Sequence, residues 1–268
     1  MNLILFILWI ILGTFQKPLL SYAGTPLFVT PTGIIREIEN RRGQWIAFKA
    51  EVQLNFSRGQ QTASCNGEMV YNRLDEKLLL ECSDSKKNVV FAFKAIDRDY
   101  QLYLPSRKTV FSGNVFELQD SPEIESHLKP LDLYRALKPL VIPAQNASIE
   151  TVDQNSVTLR VLGENQRFIY LARRILANRQ GDIMREIYYS FQGEPVVTIY
   201  RNKFQKSKLA DYPNRKNIFY PKEVLIENGS SNRKTLLEFE DVKFYSFLAE
   251  QNWDLNVPAD TQFIHLKE

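Results

Sequence analysis

The sequence predicts a mainly β protein, built on a large, strongly curved antiparallel sheet that is closed or half closed, with a helical insert in the middle. Three observations carry this prediction. Most of the chain divides into short segments that alternate apolar and polar side chains, the period of two expected of strands buried on one face. Polar turns rich in Asn, Asp, Gly and Ser separate those segments. The stretch Ser64–Leu118 reads as a meander whose first hairpin can be registered on paper. With Asn72, Arg73, Leu74 and Asp75 as its loop, Tyr71 faces Glu76, Met69 faces Leu78, Gly67 faces Leu80 and Cys65 faces Cys82. Met69, Leu78 and Leu80 then share one face, while Asn66, Glu68, Lys77 and Glu81 share the other, so register and hydrophobicity agree.

In chain order, Leu3–Leu12 is an apolar run too short to span a bilayer, and Ser21-Tyr22-Ala23 places small residues at both key positions of a cleavage site. Residues 1–23 are therefore expected to be a secretory signal peptide. The run has no Lys or Arg before it, and an uncleaved anchor is the other reading. No cysteine stands near the cut, as a bacterial lipoprotein signal requires. Gly24–Glu268 shows no internal repeat, low-complexity run or long linker, which predicts one soluble domain.

A short amphipathic helix is expected over Thr32–Arg41, with Ile34, Ile35 and Ile38 on one face and Thr30 or Thr32 as cap. Trp45–Phe56 follows as a strand that turns Ile46, Phe48, Ala50, Val52, Leu54 and Phe56 to a core. The meander supplies Gln61–Tyr71, Glu76–Cys82, Val89–Ile96 and Tyr100–Leu104. Two short helices, Ser121–Leu128 and Leu131–Leu140, are interrupted by Pro130 and ended at Pro139. The β pattern resumes at Ser148 and runs, with polar breaks, to Tyr245; Gln262–Leu266 closes the chain. The count is about eleven strands. Val89–Ile96 is apolar on both faces, as are Phe168, Tyr170 and Ala172 with Ile169 and Leu171, which calls for burial or a ligand on each side.

Composition argues against several classes. A formal charge of +3, lowered by one when Lys17 leaves with the signal, gives no case for nucleic acid or an anionic membrane surface. His127 and His265 are the only histidines, and no metal, nucleophile-elbow or phosphate-loop motif is present. Carboxylate pairs such as Glu238/Glu240 and Asp97/Asp99 have the spacing of one strand face or a turn. The expectation is no enzyme, no cofactor and no metal. The two cysteines of an exported chain, opposite one another in the hairpin, are expected to form a Cys65–Cys82 disulfide; two buried thiols is the alternative.

Gly67-Glu68-Met69-Val70-Tyr71-Asn72-Arg73, the strand Lys77–Glu81, the turn Asp97-Arg98-Asp99 leading to Tyr103-Leu104-Pro105, and the closing Trp253–Asp260 before Phe263-Ile264 together resemble the LolA/LolB superfamily of bacterial lipoprotein carriers. The resemblance spans roughly Trp45 to Leu266. It implies a half-open antiparallel β-barrel of eleven strands, with the helices as a lid over an apolar concavity that holds acyl chains. The lining or lid would come from Phe48, Met69, Leu78, Leu80, Phe91, Phe93, Leu131, Tyr134 and Leu137. Arg73 matches the family's turn arginine that controls the lid; an exposed turn arginine is the other reading. Leu74 stands where the family has proline, Asp260 where it has glycine, and the segment between Asp153 and Phe219 is longer. The implied function is a monomeric periplasmic carrier of lipoprotein acyl chains or other lipids, working between an inner-membrane transporter and an outer-membrane acceptor. The alternative is an envelope module that senses acyl chains without moving them.

Overall fold

A computed structural model describes residues 29–114, 131–137, 141–164, 168–214, 217–248 and 251–266. The expected signal peptide, the helix Ser121–Leu128 with His127, and the end of the helix Leu131–Leu140 lie outside them. Helix α1 (Pro31–Arg42) precedes strands β1 (Ala47–Arg58), β2 (Gln61–Asn72), β3 (Lys77–Ser83), β4 (Val89–Ile96), β5 (Asp99–Leu104) and β6 (Thr109–Asn114). Helix α2 (Leu131–Leu137) leads to β7 (Ala147–Val152), β8 (Ser156–Glu164), β9 (Ile169–Asn178), β10 (Ile183–Tyr189), β11 (Pro195–Ser207), β12 (Ile218–Asn228) and β13 (Arg233–Tyr245), with β14 (Gln262–His265) last.

The described strands form one sheet of fourteen, ordered β14-β6-β5-β4-β3-β2-β1-β13-β12-β11-β10-β9-β8-β7. It consists of two meanders, β1 to β6 and β7 to β13, fused where β1 pairs antiparallel with β13 from Ala47↔Tyr245 to Arg58↔Arg233. Right-handed twist accumulates across so many strands, and a register shift at Glu51/Val52 bends the central pair further. The sheet curls but leaves β14 and β7 as free edges, a half-open barrel. The count exceeds the expected eleven partly through β6, whose Ser112, Gly113 and Asn114 do not alternate convincingly. Its pairing with β5 from Asp99↔Asn114 to Leu104↔Thr109 makes it a strand.

Topology dictates where the helices go. The chain must pass from β6, beside one edge, to β7 at the other, so α2 crosses the inner face on the way. There it buries Leu133, Tyr134 and Ala136 in a core shared with Phe48, Leu54, Met69, Leu80 and Phe93. The Tyr134 hydroxyl donates to the Asp97 carbonyl at 2.6 Å. Helix α1 covers the other half. Pro31 opens it, and Thr30 Oγ1 accepts from the Gly33 amide at 3.0 Å. Ile34, Ile35 and Ile38 pack on Val157, Leu159 and Ile175 of β8 and β9. Burying three isoleucines is worth about 1.5–3 kcal/mol each, an upper estimate.

The apolar outer side of β4 is explained by burial. Ala92, Tyr103 and Val110 pack under Leu255 and Val257 of the C-terminal segment. Lys94 Nζ fixes that segment by an ion pair to Asp254 at 3.0 Å. Crossing the outside brings β14 onto β6 in parallel, unlike every other pairing between the described strands. By contrast, the two-faced apolar stretch at the start of β9 is not buried: Phe168 is 46% and Ile169 66% exposed. Phe168 stacks edge-on with Tyr170 and Phe191, which also meet each other.

The β2–β3 hairpin departs from the paper register by two residues: Tyr71 faces Leu78, Gly67 faces Cys82, and the loop is Arg73 to Glu76. Asn72 Oδ1 accepts from the amides of Leu74 and Asp75 at 3.0 and 3.4 Å, and Glu76 takes the left-handed conformation at φ 48°. A slip of two preserves the faces, so the buried set is the expected one. Cys65 and Cys82 form a disulfide diagonally across the pair, with Cα atoms 5.7 Å apart and a sequence separation of 17. Replacing both by alanine is expected to cost about 3 kcal/mol through the loop-closure entropy of the unfolded chain, lowering Tm by roughly 6–12 °C in a thermal melt.

Candidate functional site

Between the C-terminal end of α1 and the end of α2 lies a cavity of about 860 Å³, its open mouth included. Its floor comes from the centre of the sheet, where the meanders fuse: Phe48 on β1, Phe239, Val242 and Phe244 on β13, Phe219, Tyr220 and Val224 on β12. Alternation places Phe48 and Val224 inward, and the register shift that skips Glu240 on β13 turns both Phe239 and Phe244 inward despite their odd spacing. Trp45, in the link between α1 and β1, stands against them, its ring centroid 5.7 Å from Phe48 and 5.5 Å from Phe244. Phe48 meets Phe239 edge-on at 5.8 Å, and Tyr220 lies 5.2 Å from Phe244. Ala136 and Leu137 of α2, Gly181 and Asp182 of the β9–β10 turn and Ile183 at the start of β10 form the walls.

Four arginines line this apolar space: Arg41, Arg42, Arg73 and Arg201. Arg41 holds Asp182 at 2.8 Å and lies over the Phe219 ring at 4.3 Å. That ion pair latches the end of α1 to the β9–β10 turn. Arg201 on β11 is buried; its Nη2 donates to the Ala136 carbonyl at 2.9 Å and stands 3.5 Å from Glu186. It thereby ties α2 to the sheet. Burial pushes the Arg42 guanidinium down to about 10, against the opposing charge of Glu186. Burial also lowers Arg73, whose guanidinium lies 5.9 Å from the Trp45 ring. The Arg73 amide donates to the Ile46 carbonyl at 2.9 Å, which fastens the β2–β3 turn to the Trp45 link. Tyr188, donating to Glu186 at 3.2 Å, is raised to about 12 by burial and by that carboxylate.

Of the residues named from sequence, Phe48, Leu137 and Arg73 lie in this cavity. Met69, Leu78, Leu80, Phe91 and Phe93 are at most 2% exposed in the packed core beneath the α2 half. Tyr134 is in the same core, and the Leu131 side chain lies outside the described residues. Sequence reasoning passed over Trp45, Phe219, Phe239, Phe244 and the other three arginines. One signal was available: Arg201 follows Val197 and Ile199 on the buried parity of β11, a charge where a core residue belongs. Among the described residues no three His, Cys, Asp or Glu side chains converge to hold a metal ion. His265 is exposed, its Nδ1 3.2 Å from Ser112 Oγ. The arrangement is suited to holding an apolar body, with fixed positive charge at its walls.

No protein-family model and no curated protein matches the sequence. Solved structures do match. A domain from Vibrio parahaemolyticus assigned to outer membrane lipoprotein sorting aligns with a TM-score of 0.58 at 15% identity, covering 81% of this chain and 93% of its own. A LolA superfamily protein from Nitrosomonas europaea aligns at 0.53 with 13% identity, covering 82% of this chain and 96% of its own. A DUF1329 family protein from Desulfovibrio piger aligns at 0.57 with 12% identity, covering 81% and 94%. These matches show that the chain has a LolA-like fold.

Proposed function

We propose that this protein is a periplasmic carrier that binds the acyl chains of lipoproteins or other lipids in the cavity between α1 and α2 and moves them toward the outer membrane. The observation that carries the reading is the cavity between the two helices, on whose aromatic floor the rings of Trp45, Phe219 and Tyr220 are only partly buried while the rest of the inner face is packed. A protein with no use for that space would close it, since exposed apolar surface of this kind is costly. The fold shared with a lipoprotein-sorting domain supports the same reading. Among the described residues no helix is long and apolar enough to cross a membrane.

Binding of this kind needs no covalent chemistry. Each methylene buried contributes about 0.8 kcal/mol, so a dozen supply on the order of 10 kcal/mol before ordering costs. Release follows when the lid elements, or a membrane acceptor, compete for the same surface. Loading from an inner-membrane transporter and delivery to an outer-membrane acceptor are the partners the reading implies.

Native mass spectrometry of the mature chain, purified without detergent, is expected to show bound acyl species that organic extraction removes. Val242→Trp, which fills the cavity from its floor, should exclude about three methylenes' worth of chain and weaken fluorescent fatty-acid binding roughly fiftyfold. A clean apo mass together with failure to take up any fatty acid would reject the carrier reading in favour of an envelope interaction module.

A further inference from the structure

The cavity combines two features that an acyl-chain site alone does not require. Its floor is aromatic, while its walls carry four guanidiniums against a single lining carboxylate, that of Asp182. Asp182 is already engaged by Arg41 at 2.8 Å and by Asn178 Nδ2 at 2.9 Å. Glu186 lies behind Arg201 and is 1% exposed, accepting also from Tyr188. Buried cations are expensive unless compensated, and apolar cavities normally exclude them. Arg201 is 9% exposed and spends Nη2 on the Ala136 carbonyl, yet its Nη1 finds no acceptor among the described residues. The buried Nε of Arg73, beside the Trp45 ring, finds none among them either. Guanidinium N–H groups in that state call for an oxyanion, which they bind through charge-assisted and often paired hydrogen bonds.

We infer that the cavity takes an anionic amphiphile, its acyl chain on the floor of Phe48, Phe239 and Phe244 and its oxyanionic head, carboxylate or phosphate, held at the wall by Arg201 and Arg73. The inference rests on the carrier reading and narrows it to a class of cargo. A neutral glyceride would leave the guanidiniums as they are, and a cationic amphiphile would be repelled. Arg41 and Arg42 add to the field without being assigned a contact, the first being latched to Asp182.

The test uses the mature protein loaded with N-phenyl-1-naphthylamine, a neutral apolar fluorophore. Competitors share a twelve-carbon chain: laurate, dodecyl phosphate, uncharged monolaurin and dodecylammonium, with inorganic phosphate as a chainless control. Laurate or dodecyl phosphate is expected to displace the fluorophore at concentrations at least about tenfold lower than monolaurin, with dodecylammonium weakest and inorganic phosphate inert. Arg73→Gln, at a half-buried turn, should reduce that preference several-fold while leaving monolaurin unchanged. Arg201→Gln should do the same where it folds. Equal displacement by laurate, dodecyl phosphate and monolaurin would overturn the head assignment and leave the carrier reading standing. Displacement by inorganic phosphate as strong as by dodecyl phosphate would assign the arginines to a free anion and also overturn it. Failure of the fluorophore and of every chain to bind would instead defeat the carrier reading itself.

Discussion

Glu186→Ala is expected to destabilise the fold by about 3–5 kcal/mol, the cost of leaving buried cations uncompensated. Glu186 is 1% exposed, accepts from the Tyr188 hydroxyl at 3.2 Å and faces Arg201 at 3.5 Å. Its charge also opposes the desolvation that draws Arg42 down to about 10. Removing the carboxylate thus affects two guanidiniums together, one on β11 and one at the end of α1. The effect should appear in urea denaturation as a lowered midpoint with an unchanged slope, since the surface exposed on unfolding stays the same. Combining Glu186→Ala with Arg201→Met should recover a substantial part of the loss, because the penalty belongs to the unpaired charge and not to a lost attraction. Simple addition of the two single effects would show that Glu186 and Arg201 are not coupled and that the network is misassigned.

How far the sequence foretold this arrangement depended on whether a feature was local. The faces of β2 and β3 were legible because side chains alternate with a period of two, and the two-residue slip in register left every buried residue buried. The register itself turned on the side chain of Asn72 and the left-handed Glu76, contacts that hydrophobicity does not encode. Helix α1 was legible from Ile34, Ile35 and Ile38 and the Thr30 cap. The outward face of β4 was apolar for a reason lying far along the chain, in Leu255 and Val257. Phe168 and Ile169 carried the same apolar pattern, yet they stay 46% and 66% exposed. The cavity was the least legible part. Trp45, Arg73, Arg201, Tyr220 and Phe244 converge from links, turns and strands of both meanders, and no spacing in one segment relates them.

Gly181→Val is expected to loosen α1 selectively and so to test whether that helix serves as a lid. Gly181 sits in the β9–β10 turn at φ 85°, a conformation that costs other L-residues about 1–2 kcal/mol. A Cβ there would lie 2.4 Å from the carbonyl carbon and oxygen of Glu37 and 2.6 Å from the amide nitrogen of Ile38. Those are backbone atoms inside α1, so no rotamer change relieves the clash, and the helix must move off the turn. Overpacking adds about 1–3 kcal/mol, for a total on the order of 2–5 kcal/mol. The displacement also breaks the latch, because Asp182 is the next residue and Arg41 lies on the last turn of the same helix. Hydrogen exchange should record it as protection lost in Glu37 to Arg42 by at least about a hundredfold, while amides of β2 to β5, which pack under α2, keep theirs. The fatty-acid off-rate should rise in step, since α1 forms one wall of the cavity mouth. If the amides of β2 to β5 accelerate together with those of α1, the helix is part of a single cooperative unit, and opening must be sought at α2 instead.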